Sequence, residues 1–176
     1  INGRLPNDLP DTGVARLVKT DMSNVAPEQY SQTDGLIVEI PSLGIKMPIV
    51  GVPLKNGEWN VSWLGNQAGW LEGSAFPSWN GNSVLTGHVY GYNGLPGPFF
   101  NLSTLKYGDK IVIHAYGAEY IYEVRASEVV KPDDASVMKH EEKSWLTLLT
   151  CKEYDAKTNT YKKRLMIRAV LVRVVR

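Results

Sequence analysis

From Gly35 onward, apolar and polar positions alternate in short runs, and Gly, Pro, Asn and Asp interrupt those runs at close intervals. A period of two bounded by turn residues predicts strands, because successive side chains of a strand point to opposite faces. The pattern predicts strands at residues 36–40, 45–50, 59–64, 83–88, 110–116, 119–130, 145–151 and 164–174. Along residues 118–130 the alternation is clear, with Tyr120, Tyr122 and Val124 on one face, whereas residues 166–174 are apolar almost throughout, as a central strand should be. Short helices are expected at residues 66–72, 99–102 and 135–143. Eight short strands with so little helix predict an all-β domain, a closed barrel or a sandwich. The chain contains no internal repeat and no low-complexity stretch.

Residues 1–34 follow a different pattern. Their apolar residues have no regular period, and Pro6, Pro10 and Pro27 break helices and sheet ladders alike. They read as an extended tail ahead of one domain, residues 35–176, long enough to bury a core without disulfides or structural metals. Lys plus Arg total 19 against 18 Asp plus Glu, so charge gives no general reason for a nucleic-acid or acidic-lipid partner. The cluster Lys162-Lys163-Arg164 is too short to alter that. No apolar stretch approaches the ~20 residues that span a bilayer. Because the chain begins at Ile1 rather than Met, it reads as a processed or trimmed form, with room for a signal peptide or membrane anchor ahead of it.

Candidate chemistry centres on Cys151, the single cysteine, which closes the run Leu146-Thr147-Leu148-Leu149-Thr150-Cys151. A free thiol has a pKa near 8.5 and is only slightly ionised at neutral pH, so a nucleophilic Cys151 needs help. His88, in Thr86-Gly87-His88, supplies an imidazole, and Arg164 a guanidinium able to stabilise an oxyanion. If the strands carrying Cys151 and Arg164 form an antiparallel hairpin, both residues sit at one rim. Each residue also has a plainer reading: Cys151 as a small buried hydrophobe, His88 as a turn residue, Arg164 as a surface cation. His114 alternates with Val112 and Tyr116 and reads as structural, while His140 lies among charged residues and reads as solvated. One cysteine and three scattered histidines have no metal-ligand spacing, and no glycine loop suited to phosphate follows a strand, so neither metal nor cofactor is expected.

In combination these residues are more specific. The order His88, Cys151, Arg164, the Thr150 just before the cysteine and the following stretch Glu153-Tyr154-Asp155-Ala156-Lys157-Thr158-Asn159 resemble the sortase family of cysteine transpeptidases, over roughly residues 35–176. The resemblance implies a closed eight-stranded barrel with Cys151 as nucleophile, His88 as acid/base and Arg164 as the positioning and oxyanion-stabilising residue. It further implies Thr86, Thr150, Tyr154 and Tyr161 as substrate contacts, with residues 125–144 and 152–163 walling the groove. Sortases cut a Leu-Pro-any-Thr-Gly signal between Thr and Gly, hold the Thr as a thioester and pass it to an amine. The expected partners are therefore proteins bearing that signal and an amine acceptor on a cell-wall precursor or surface protein, at the extracytoplasmic face of the membrane. No Asp-Pro-aromatic lid of the kind found in pilus-polymerising members precedes the barrel, and no acidic cluster maps onto the calcium site some members use. A hydrolytic thiol peptidase and a noncatalytic surface barrel stand as alternatives.

The tail adds a further motif. Leu9-Pro10-Asp11-Thr12-Gly13 matches the sorting signal at all four fixed positions, although such signals normally lie near a C-terminus, and a Pro/Gly loop can match by chance. About twenty residues separate Gly13 from the first expected strand, and at ~3.3 Å each they can span the barrel. A tethered pseudosubstrate that can occupy the Cys151 groove, in its own barrel or a neighbour's, is the expectation, with tethering giving an effective concentration near millimolar.

Overall fold

The computed structural model describes residues 35–91 and 93–176. The expected tail and its Leu9 to Gly13 segment lie outside the described residues. Ten strands run in chain order as β1 (Ile37–Ile40), β2 (Ile45–Val52), β3 (Leu54–Lys55), β4 (Glu58–Trp59), β5 (Ala68–Leu71), β6 (Gly81–Thr86), β7 (Lys110–Ala115), β8 (Ala118–Val130), β9 (Ser144–Asp155) and β10 (Thr160–Val175). Eight of them close a barrel in the order β1-β2-β5-β6-β9-β10-β8-β7, while β3 and β4 pair apart from it. Neighbours are antiparallel except β2 with β5 and β6 with β9. The all-β, eight-stranded closed barrel expected from the sequence is the architecture observed.

Two elements exchange roles relative to the sequence pattern. Residues 66–72, expected as a helix, contain β5, and of the strand expected at 59–64 only Trp59 pairs in a ladder. All four residues of β5 are buried, so no alternation marks it as a strand. Gly69 permits this packing, because a Cβ there would meet Val52 Cγ2 at 2.7 Å and Leu64 Cδ1 at 2.9 Å. Val61, Trp63 and Leu64 are apolar because an irregular segment presses them onto the barrel, not because they pair. The helix expected at 135–143 shrinks to the 3-10 turn Ala135–Met138, capped by Asp134, which accepts from the Ser136 amide at 2.9 Å. The one expected at 99–102 is the 3-10 turn Leu102–Thr104. β9 extends to Asp155 and β10 starts at Thr160, so residues 152–163 are mostly hairpin arms rather than a loop.

The core has two parts. One fills the barrel with residues such as Val38, Ile49, Leu85, Ile113, Leu146, Leu148 and Ile167. The other lies against the outside of β6, β9 and β10, where Val84, Leu149 and Met166 meet Val61, Leu64 and Val137 from the overlying segments. Each fully buried aliphatic side chain contributes about 1.5–3 kcal/mol, so both faces of these strands are tightly covered. That double cover explains why β9 reads as nearly continuous apolar sequence.

Candidate active site

Three adjacent strands set the level of the site. In the β9–β10 ladder Cys151 is the direct partner of Arg164. The parallel register of β6 with β9 pairs Thr86 with Leu149, and two residues further on the same register brings His88 level with Cys151. Alternation along β9 turns Cys151 to the same outer face as Leu149, and along β10 it turns Arg164 to the face of Met166. His88, Cys151 and Arg164 thus lie at one level along the lines of β6, β9 and β10, and the hairpin expected to set Cys151 beside Arg164 is present. His88 itself lies just beyond β6, which ends at Thr86 rather than at residue 88.

The backbone around His88 is held closely. Its carbonyl accepts from the Phe99 amide at 3.1 Å, and the Val89 carbonyl accepts from the Gly97 amide at 2.7 Å. A Cβ at Gly97 would lie 2.4 Å from the His88 carbonyl oxygen, and one at Gly87 2.9 Å from the Phe99 ring. Only glycine lets the chain approach His88 this closely on both sides. Thr86 Oγ1 donates to the Leu149 carbonyl at 3.0 Å, and Thr150 Oγ1 donates to the Gly87 carbonyl at 2.8 Å. These two hydroxyls tie β6 to β9 at the level of the thiol.

Among the described residues three buried side-chain atoms have no hydrogen-bond partner, His88 Nδ1, Arg164 Nε and Arg168 Nε, and the first two belong to this site. His88 is 2% exposed and its Nε2 lies 2.9 Å from the Val61 carbonyl. A carbonyl only accepts, so Nε2 carries the proton, and Nδ1 is buried without a partner. Burial pushes the imidazole below its ordinary value, partly countered by the Val61 hydrogen bond. The ring is therefore neutral at pH 7, with an open lone pair on Nδ1. Arg164, also 2% exposed, donates through Nη1 to the Tyr161 and Lys163 carbonyls at 3.1 and 3.0 Å, while its Nε is buried and unpartnered. A buried polar atom left unsatisfied costs about 1–3 kcal/mol, and here two such atoms belong to residues on the strand lines flanking that of Cys151, although neither His88 nor Arg164 lines the cavity at the thiol.

A cavity of about 250 Å³ opens at Cys151. On one side stand Glu153, Tyr154 and Tyr161 of the β9–β10 hairpin, with the two tyrosine rings 5.2 Å apart. Opposite are Tyr90, Phe100 and Ser103, with the Tyr90 and Phe100 rings 5.3 Å apart. Of the expected substrate contacts, Thr150, Tyr154 and Tyr161 line this cavity and Thr86 does not. Residues 125–144, expected as a wall, do not line it either. Residues 125–130 belong to β8, and Val137 packs on the outer core instead. The wall formed by Tyr90, Phe100 and Ser103 was missed by the sequence reading. Its signal is the pair Phe99-Phe100 directly after the Gly/Pro-rich run 94–98. Also missed was Val61, whose carbonyl fixes the His88 tautomer.

The model of the sortase domain matches residues 38–172, most of the chain. The chain belongs to the sortase family. Sortase A of Bacillus anthracis is 30% identical over 119 residues, a stretch covering 65% of this chain and 50% of that protein. The chain thus spans about half the length of that curated relative. Among solved structures, sortase A from Corynebacterium diphtheriae superposes with a TM-score of 0.66 at 30% identity, covering 83% of this chain and 62% of that one. A pilus-related sortase C of Group B Streptococcus gives 0.67 at 27% identity, covering 96% and 82%. Sortases are cysteine transpeptidases, and this sortase domain has a cysteine, a histidine and an arginine at one level of three adjacent strands.

Proposed function

We propose that this chain is a transpeptidase that cleaves a Leu-Pro-any-Thr-Gly signal between Thr and Gly and transfers the acyl fragment to an amine at the cell surface. Cys151 is the nucleophile. The observation that carries the reading is the pair of buried, unpartnered atoms, His88 Nδ1 and Arg164 Nε, set on the strands either side of it. In the first step the Cys151 proton passes to His88 Nδ1 and the sulfur attacks the Thr carbonyl carbon. Arg164 stabilises the negative charge that gathers on the carbonyl oxygen. The C–N bond then breaks, His88 returns the proton to the departing Gly nitrogen, and a thioester remains. In the second step the incoming amine attacks the thioester, His88 removes its surplus proton, and the new amide leaves as the thiol re-forms.

Thr150, Tyr154 and Tyr161 contact the signal from the hairpin side of the cavity, and Tyr90 and Phe100 from the other. The acceptor is an amine of a cell-wall precursor or of another surface protein. The Leu9 to Gly13 segment acts as a tethered pseudosubstrate that competes with the signal for this groove.

Mass spectrometry of a signal peptide incubated with the full chain and oligoglycine tests the reading. Ligated product, abolished by Cys151→Ala, supports transfer. Hydrolysed peptide without ligated product would replace it with a thiol peptidase. If Cys151→Ala leaves peptide turnover unchanged, the barrel is a noncatalytic module.

A further inference from the structure

The barrel carries a second cavity, of about 530 Å³, at its other end. It lies where β6 and β9 begin, at Gly81 and Ser144, seven residues before His88 and Cys151 respectively. At ~3.3 Å per residue that is about 23 Å from the thiol. Its volume lies within the range of small-molecule sites, about 300–1,000 Å³.

Aromatic rings dominate this cavity. Trp70, Phe76 and Trp79 form a connected series, with centroids 5.3 and 5.4 Å apart, and Tyr116 faces the same space from the β7–β8 turn. Trp79 is 62% exposed and Tyr116 66% exposed, so neither ring contributes much to the core. Clustered exposed aromatics, unlike single ones, mark a candidate ligand-binding surface. The segment that carries Trp79 is held rigidly by the barrel. Trp70 Nε1 donates to the Ala75 carbonyl at 3.0 Å, Ser83 Oγ to the Phe76 carbonyl at 3.1 Å and Ser144 Oγ to the Trp79 carbonyl at 2.9 Å. Rigid, amphipathic rings give contact area at little cost in conformational entropy. Tyr116 (φ 53°) in the lining adopts a left-handed conformation that side chains other than Gly and Asn disfavour.

The chemistry of the lining narrows the ligand. None of the lining residues is Asp, Glu, Lys or Arg. A phosphate or carboxylate would find no cation, and an organic cation no carboxylate. The polar side chains are those of Ser74, which donates to the Leu71 carbonyl at 2.8 Å, and of Asn80, His140 and Tyr116. Flat apolar ring faces with hydroxyl, amide and imidazole groups at their edge complement a pyranose ring, which has an apolar C–H face and a hydroxyl rim. We infer that this cavity is a binding site for a neutral saccharide, independent of the thiol site, which would hold the enzyme against a glycan while the opposite end of the barrel works.

Calorimetric titration of the full chain with tri-N-acetylchitotriose and with maltotriose tests the assignment, with tetramethylammonium and a proline-rich peptide as comparators. At least one saccharide should bind with millimolar affinity or better. Trp79→Ala and Tyr116→Ala should each weaken it about tenfold or more, with signal-peptide cleavage retained, and Cys151→Ala should leave saccharide binding intact. Binding of neither saccharide would overturn the assignment. So would saccharide binding that survives Trp79→Ala, or tighter binding of either comparator. Because cleavage and saccharide binding are read separately, failure here is distinguishable from failure of the transpeptidase reading.

Discussion

Cys151 and Arg164 are cross-strand partners in the β9–β10 ladder, so the distance between thiol and guanidinium is set by the strand spacing of the barrel rather than by a loop. Directly paired residues keep their Cβ atoms about 4.5–5.5 Å apart. Arg164 is further held by two carbonyls, those of Tyr161 and Lys163, while its Nε has no partner among the described residues. A lysine lacks this fork of donors. Arg164→Lys should therefore lower kcat/KM for signal-peptide cleavage by about 10²-fold, with the circular dichroism spectrum unchanged. Activity within a few-fold of the parent would remove Arg164 from the chemistry.

His88 makes the fold sensitive to acid. Burial lowers its imidazole from the ordinary 6.5, so below that pH the unfolded chain takes up a proton that the folded chain resists. The stability contributed is complete above 6.5 and is lost as pH falls toward the lower folded value. Urea titrations between about pH 7 and pH 5 should show the parent losing stability faster than His88→Gln, whose amide keeps a donor for the Val61 carbonyl. Parallel pH profiles would refute a neutral, buried His88.

Gly97 serves His88 without contacting the substrate. Gly97→Ala places a Cβ 2.4 Å from the His88 carbonyl oxygen, and backbone cannot yield as a flexible side chain does. A stability loss of about 1–3 kcal/mol is expected from overpacking, and displacement of the imidazole should reduce kcat by about 10²-fold. Thermal melts and peptide kinetics measure the two separately, and a fully active variant would mean that the segment is free to shift.

Thr150 is a strut between strands. Thr150→Val leaves the Gly87 carbonyl without its donor and should cost about 1–3 kcal/mol, whereas Thr150→Ser should recover most of that loss. Denaturant midpoints of the two variants decide the point. Equal midpoints would show that the hydroxyl does not bind β6 to β9 in solution.

If Leu9 to Gly13 competes for the groove, removing residues 1–30 should raise kcat/KM for signal-peptide cleavage by about twofold or more, as expected of a weak ligand tethered at near-millimolar effective concentration. Substituting Leu9 and Pro10 by alanine in the full chain should reproduce the increase. Equal rates with and without the segment would end the autoinhibition reading.

The strands that alternate were legible in the sequence. β8 declares itself through Tyr120, Tyr122 and Val124 because one of its faces is buried and the other is wet. β5 does not, since all four of its residues are buried between neighbours and carry no period. The segment around Val61 misled for the opposite reason: its apolar residues cover the barrel from outside without joining a ladder. His88, Cys151 and Arg164 were recognisable through their order and their neighbours in the chain. Tyr90 and Phe100 were not, because the groove wall they form faces a hairpin some fifty residues away in sequence.

By itself the sequence determined residue type and periodicity: an all-β chain, a single thiol, an imidazole and a guanidinium in a telling order, and a signal-like segment near its start. Tertiary structure alone decided their relations. The parallel pairing of β6 with β9 and the antiparallel pairing of β9 with β10 bring three distant residues to one level, and the covering segments withdraw them from water. Register and burial are non-local quantities, fixed only when the barrel closes, and on them depend the neutral state of His88 and the two unpartnered atoms beside Cys151.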